Sequence, residues 1–322
     1  KCFLVQIQEY VSPRDIFTEY AYFSSFSDSW LRHAKAYTDL MVDRFQLGPK
    51  SQVVEIASND GYLLQYFVEK GVPVLGVEPA ANVEQAALKK GVPSLVKFFG
   101  VQTAQELATG GKRADLLLGN NVLAHVPDIN DFVEGLKVLL KPAGVITMEF
   151  PHLLRLMGEN QFDTIYHEHF SYLSFYAVEQ VFVAHGLTLF DVEELPTHGG
   201  SLRIYARHAD NIEQCVSSRV TELRTREITA GLTNLQSYLS FGEQVKETKR
   251  KLLQFLIRLK SEGKTIVGYG APGKGNTLLN YCGIRTDFLD YTVDRNPYKQ
   301  GKFTPGTHIP IHPVEKIRET KP

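Results

Sequence analysis

Apolar positions recur along this chain with two different periods, and the changes of period mark its organisation. The run WLRHAKAYTDLMVDRFQL, from Trp30 to Leu47, spaces its apolar residues three and four apart and stops at Gly48-Pro49, which predicts a helix. Short continuous apolar runs then alternate with helical patterns. SQVVEIA, VPVLGVEP, ADLLLGNN and VITMEFP predict buried strands, with NDGYLLQYFVEKG, ANVEQAALKKG and INDFVEGLKVLLKPAG as the helices between them. Such alternation calls for right-handed crossovers and hence a parallel, doubly wound sheet. LTLFDVEELP and SLRIYARH predict two strands joined through Thr197-His198-Gly199-Gly200, as an antiparallel edge pair. From Ile212 to Lys260 the pattern is helical and charged, ending at Gly263, and a second α/β unit follows with TIVGYG and FLDYTVD as strands and NTLLNYC as a helix. The aromatic-rich opening, EYVSPRDIFTEYAYFSSFSDSW, has weak periodicity and predicts a loop-rich cover.

Composition narrows the function classes. With 322 residues the chain is long enough for about two domains, each with its own core. Its 35 basic and 36 acidic side chains leave a net charge of -1, so no basic field points to nucleic acid or an anionic membrane. No apolar run approaches the roughly 18 residues of a membrane span and no signal peptide opens the chain, which makes the cytoplasm the expected compartment. The 3 cysteines, Cys2, Cys215 and Cys282, are odd in number and far apart, which suits a reducing compartment and excludes a disulfide framework.

Two turns carry candidate chemistry. After the first predicted strand, EIASNDG places Glu55 at the strand end and then Ala57, Asn59 and Gly61 at alternate positions, which resembles the turn of adenosylmethionine-binding folds, where small residues let the backbone approach the amino-acid part of the ligand, although two of that pattern's three glycines are absent here. Glu78 ends the next strand roughly 20 residues on, the distance at which an acid accepts hydrogen bonds from a ribose, or else merely caps the helix that follows. Asn120 and Asn121 end a further strand, and with His125 they point to the crevice at the carboxyl ends of the sheet; a surface loop is the alternative for His125. The second turn, GYGAPGKGN, contains G-x-G-x-x-G at 268, 270 and 273, between a strand and a helix, followed by Lys274 and later by Asp290 and Asp294. This context suits an anion at a helix N-terminus and keeps a nicotinamide dinucleotide open as a competing ligand, although Pro272 is unusual for that fingerprint. A tight turn that needs glycine only for its backbone is the plainer reading.

Tyr166-His167-Glu168-His169 offers groups that bind metals or move protons. The H-E-x-x-H spacing of a helical zinc site is absent, so a metal is the weaker reading. A histidine beside a carboxylate that orients it is a suitable general base, and a purely structural role suits His167 better.

Together YFSSFSDSWLRHAKAY, EIASNDGYLLQYF, GVEPAANV, NNVLAHVPD, FDTIYHEHFSYLS, ELPTHGGSLR, GYGAPGKGNTLLNYCGI and DYTVDRNPYKQG resemble the S-adenosylmethionine-dependent sugar C-methyltransferases, in particular those acting on carbon 3′ of dTDP-4-keto-deoxysugars. The likeness covers nearly the whole chain. It implies an α/β fold: a class I (Rossmann-like) methyltransferase domain, then a helical segment and a second, smaller α/β domain. On this reading residues 1–30 are the remnant of a cover segment beside a zinc module, 31–210 bind S-adenosylmethionine, and 211–322 form the helical segment and an incomplete nucleotide-sugar domain. The resemblance makes His169 the base, with Glu168 and Tyr166 beside it, and adds His125 and Tyr20 to the active site. Glu55, Ala57, Asn59, Gly61, Glu78 and Asn120 match the cofactor motifs; Gly270, Lys274, Asn276 and Asp294 match motifs assigned to the nucleotide. The partner it implies is a small nucleotide-sugar, with no nucleic acid or membrane, and a monomer is the favoured state.

Two departures qualify these expectations. The family's zinc module uses paired Cys-x-x-Cys motifs, of which only Cys2 remains, so no complete zinc site is expected in this chain. About 60 residues after Gly263 supply few strands, which suggests a piece trimmed at both ends. A nicotinamide-dependent oxidoreductase and a non-catalytic sugar-nucleotide binder, both using GYGAPGKG, remain as alternatives.

Overall fold

A computed structural model describes residues 2–18 and 23–322. The chain forms two compact units, Lys1–Arg155 with His167–Thr233, and Leu156–Tyr166 with Asn234–Pro322. The first is built on a seven-stranded sheet: β1 (Val53–Ile56), β2 (Val74–Val77), β3 (Ser94–Leu95), β4 (Ala114–Asn120), β5 (Leu140–Pro151), β6 (Leu187–Leu195) and β7 (Ser201–His208). The spatial order is β3-β2-β1-β4-β5-β7-β6. Strands β1 to β5 are parallel, whereas β7 runs antiparallel to both β5 and β6, so the expected edge pair closes an otherwise parallel sheet.

Alternation along each strand sorts the side chains into two cores. Val54, Ile56, Leu117, Ile146 and Met148 pack on one face with helix α5 (Ile129–Leu139) and helix α6 (Phe175–Ala184). Val53, Leu116, Leu118 and Val145 pack on the other with helix α1 (Asp28–Phe45), through Ala34, Tyr37 and Met41. The predicted α1 thus forms as read, its start fixed by the Ser27 side chain, which accepts a hydrogen bond from the Trp30 amide.

Some elements differ from the expectation. The helix read as INDFVEGLKVLLKPAG stops at Leu139, and Leu140–Pro151 is one long strand. Pro142 disfavours helical geometry at Lys141 and so pushes the chain into an extended path. The helix read from Asn59 shrinks to α2 (Leu64–Glu69), because Ala57, Asn59 and Gly61 all take positive φ and form a turn instead. Helix α4 (Val101–Thr109), α6 and the strand β3 are further elements that the expectation does not include.

The second unit holds a three-stranded parallel sheet of Gly268–Tyr269, Thr292–Val293 and Ile311–His312, in that order. Its charged helical stretch is the long helix Leu235–Ser261, whereas Ser218–Thr229 belongs to the first unit. Leu256, Cys282 and Ile284 form the unit's small core. No described helix is long and apolar enough to cross a membrane.

Candidate active site

A cavity of about 850 Å³ opens at the carboxyl ends of β1, β2 and β4. Its volume falls within the roughly 300–1,000 Å³ of small-molecule sites. Ala57, Asn59, Glu78, Asn120 and His125 line it, so five of the residues expected from the motifs converge on one space.

Backbone conformation explains why the β1 turn can do this without the family's glycines. Ala57 (φ 57°), Asn59 (φ 49°) and Gly61 (φ 72°) are all left-handed, which folds the turn tightly over the strand end. Asparagine tolerates this state; alanine is held there at a cost of about 1 kcal/mol. The Glu78 carboxylate clamps the turn from the neighbouring strand, accepting hydrogen bonds from the amides of Asn59 and Ala80 at 2.9 Å each. Burial raises its pKa, while those two amides oppose the rise. Glu78 thus braces the turn and the chain entering the helix Ala81–Lys89 without capping that helix, and a carboxylate has further lone pairs for a ligand in the cavity it lines.

Below the turn, Glu55 is completely buried and neither carboxylate oxygen has a hydrogen-bond partner. Burial pushes its pKa well up, with the Glu78 and Asp60 charges adding and the Tyr62 hydroxyl opposing. Glu55 supports the cavity from beneath rather than lining it. Asn120 Nδ2 is likewise buried and unpartnered. An orphaned group of this kind costs about 1–3 kcal/mol, and a polar ligand in the cavity relieves that cost at Asn120, which lines it, but not at Glu55. Two residues that precede α1 bond this turn: the Ser24 amide donates to Asn59 Oδ1 at 2.9 Å, and Ser25 bonds Asp60.

His125 lines the cavity, and its ring lies edge-on to His169, with centroids 4.7 Å apart. Burial pushes the His125 pKa down to about 3, the His169 and His198 charges add to the fall, and a backbone hydrogen bond to Glu168 opposes it. His125 is therefore neutral at physiological pH, and its Nδ1 has no partner. His169 is buried, whereas His167 is exposed; Glu168 is half-buried and its carboxyl is raised by burial, with His167 opposing. His167 and Glu168 lie in a turn. Tyr166 falls in the second unit and His169 in the first, and Tyr20 lies outside the described residues.

In the second unit Gly270 has φ 98° and donates to the Val293 carbonyl at 2.6 Å. The Asp294 carboxylate accepts from the amides of Ala271 and Asn296 at 2.8 Å, and Lys299 stands 3.6 Å away. Burial works against that carboxylate, but the two amides and Lys299 outweigh it and hold its pKa below the ordinary value. Asp294 thus fixes the glycine turn. Lys274 and Asn276 lie in the first turn of the helix Gly273–Cys282, whose N-cap, Pro272, supplies no side-chain bond.

One cluster escaped the sequence reading. His33, on α1, donates from Nε2 to Glu149 Oε2 over 2.9 Å; Arg203 donates to the same carboxylate at 3.0 Å, and Thr197 donates to its other oxygen at 2.8 Å. Burial raises Glu149, but the His33 hydrogen bond and the Arg203 charge prevail and hold its pKa below the ordinary value. The only signal for it in the sequence is that Trp30, His33 and Tyr37 share one helical face.

The sheet order, with its antiparallel final strand beside β5, and a cofactor crevice at the β1 turn define a class I, Rossmann-like methyltransferase fold. A methyltransferase domain model matches residues 30–192, and a C-methyltransferase C-terminal domain model matches 196–322. C-methyltransferase NovU of Streptomyces niveus is 35% identical over 98% of this chain and 75% of its own length. A ubiquinone biosynthesis O-methyltransferase of Bartonella bacilliformis is 29% identical over 38% of this chain and 51% of its own. Among solved structures, the PH0226 protein of Pyrococcus horikoshii matches with a TM-score of 0.48 and 17% identity, over 63% of this chain and 99% of that one. The chain belongs to the S-adenosylmethionine-dependent C-methyltransferases.

Proposed function

We propose that this enzyme methylates carbon 3′ of a dTDP-4-keto-deoxysugar through a base-generated enolate. The observation that carries the reading is the pairing of buried His169 with the neutral, cavity-lining His125. S-adenosylmethionine, when bound, supplies an electrophilic methyl group; Ala57, Asn59, Gly61, Glu78 and Asn120 hold it, over the buried Glu55. The orphaned Asn120 Nδ2 and the size of the cavity fit such a ligand.

His169 takes the proton from carbon 3′, which is acidic because the electron pair left behind spreads onto the C4′ oxygen. The same pair would then form the new carbon–methyl bond as the ketone is restored, while the methyl–sulfur bond breaks with its electrons left on sulfur and adenosylhomocysteine departs. Neutrality of His125 helps, since an imidazolium 4.7 Å away would repel the proton that His169 must accept. His125 commits a hydrogen bond to the Glu168 backbone, so the donor that steadies the C4′ oxyanion is a tyrosine hydroxyl, with Tyr20 and Tyr166 the candidates. Glu168 lies beside the base in the chain. Gly270, Lys274, Asn276 and Asp294 serve the nucleotide: the uncapped helix N-terminus and Lys274 suit its phosphates.

Replacing His169 tests the base. His169→Asn should lower methyl transfer by about 10²–10⁴-fold, the usual contribution of a general base. Adenosylhomocysteine binding should change less than about 2-fold, a small fraction of one hydrogen bond. Normal turnover in that variant refutes the assignment. A transfer assay offering dTDP- and UDP-linked 4-keto sugars in parallel tests the nucleotide.

A further inference from the structure

The cavity has two chemically different halves. Beside β2 and β3 it is walled by Val77, Pro79, Phe98, Phe99 and Phe132, an apolar slot suited to a flat base. Across the β1 turn, toward β4 and β5, the wall is Tyr62, Asn120, His33 and Thr197, with Trp30 between them. Glu78, the ribose acceptor of the proposed reading, stands at the end of β2. A ligand anchored there with its base in the apolar slot must send its remaining, zwitterionic end into the polar half.

Strand register builds that half. Asn120 is paired with Glu149, and Glu149 with Arg203, so three polar residues of β4, β5 and β7 stand in a row on the face that α1 covers. His33 reaches down from α1 to Glu149, and its ring stacks on Trp30 at 4.9 Å and 20°; Trp30 in turn stacks on Tyr62 at 6.0 Å. The imidazole is thereby fixed in both position and tilt. Its Nε2 is engaged by Glu149, which leaves Nδ1 for a ligand. Arg203 and Thr197 satisfy the rest of the Glu149 carboxylate, which is only 1% exposed.

We propose that His33 receives the amino-acid tail of S-adenosylmethionine, beside Asn120, and that Glu149 is the positioning residue that fixes its ring. The inference rests on the family's cofactor and on Glu78 as its ribose anchor, and it is independent of which sugar is methylated.

Two thioethers separate this role from a structural one: adenosylhomocysteine, which carries the tail, and 5′-methylthioadenosine, which lacks it. Calorimetric titration of His33→Ala should show adenosylhomocysteine weakened at least about 10-fold, the loss of one hydrogen bond to a charged group, with 5′-methylthioadenosine within about 2-fold of wild type. Glu149→Gln should show a smaller loss with the same selectivity. If His33→Ala does not give a cooperative thermal transition, His33→Gln replaces it in the same titrations. Equal weakening of both thioethers in a folded variant, or unchanged adenosylhomocysteine binding, overturns the assignment.

Discussion

The two α/β units of this chain use one device in opposite settings. In each, an acid just past a parallel strand reaches back to the turn after the preceding strand: Glu78 accepts from the Asn59 amide, and Asp294 from the Ala271 amide. The first turn is poor in glycine, yet its acid is 5% exposed, raised in pKa by burial and set on the wall of a large cavity. The second turn is rich in glycine and satisfies the dinucleotide pattern, yet its acid is held low by two amides and by Lys299. Glycine content therefore does not mark where the backbone turns sharply, since Ala57 and Asn59 take left-handed φ as Gly270 does; what separates the two turns is that the acid of the first is buried on a cavity wall, whereas the acid of the second is held by amides and a lysine.

Replacing each acid by alanine breaks this comparison most directly. Glu78→Ala should weaken adenosylhomocysteine by about 10- to 100-fold, the loss of one or two hydrogen bonds to a charged group. Asp294→Ala should leave that affinity unchanged by calorimetry while lowering stability by about 1–3 kcal/mol in urea unfolding, because it frees two amides. Equal effects on adenosylhomocysteine would show that the acids do the same work.

The opposite pKa directions predict opposite pH dependences. Glu55 is raised, so the folded state holds its proton more tightly than the unfolded chain; the stability it contributes is full below the unfolded pKa and is lost as pH rises through the folded value. Glu55→Gln removes that titration, and its melting temperature relative to wild type should climb as pH rises above the ordinary carboxylate range. Asp294 is lowered, so its contribution is present above the unfolded pKa and lost as pH falls through the folded value. The deficit of Asp294→Asn should therefore shrink toward about pH 3.

Backbone strain gives the smallest effects. Gly61→Ala places a Cβ 3.1 Å from Val92 Cγ2 at φ 72° and should cost about 1–2 kcal/mol. Ala57→Gly relieves a left-handed alanine but frees the unfolded chain, so its change in stability should stay within about 1 kcal/mol of zero.

Residues whose meaning is local were legible in the sequence. Glu78, Asn120 and His125 follow directly from strand ends, and they do meet in one cavity. The α1 helix and the antiparallel β6–β7 pair were readable from periodicity and turn residues alone. His33, Glu149 and Arg203 were not, because they meet only through the pairing of β4, β5 and β7, strands distant in sequence, and through α1 crossing that face. Leu140 was misread for a related reason: its apolar run suits helix and strand equally, and only Pro142 decides between them.

Proton exchange at the substrate carbon tests the central claim before any methyl moves. Enzyme loaded with adenosylhomocysteine, given a dTDP-4-keto-6-deoxysugar in heavy water, should wash out the carbon 3′ proton in the substrate's proton NMR spectrum, and His169→Asn should not. Exchange by the variant at the wild-type rate, or methyl transfer by a wild-type enzyme that catalyses no exchange, would contradict enolate formation by His169.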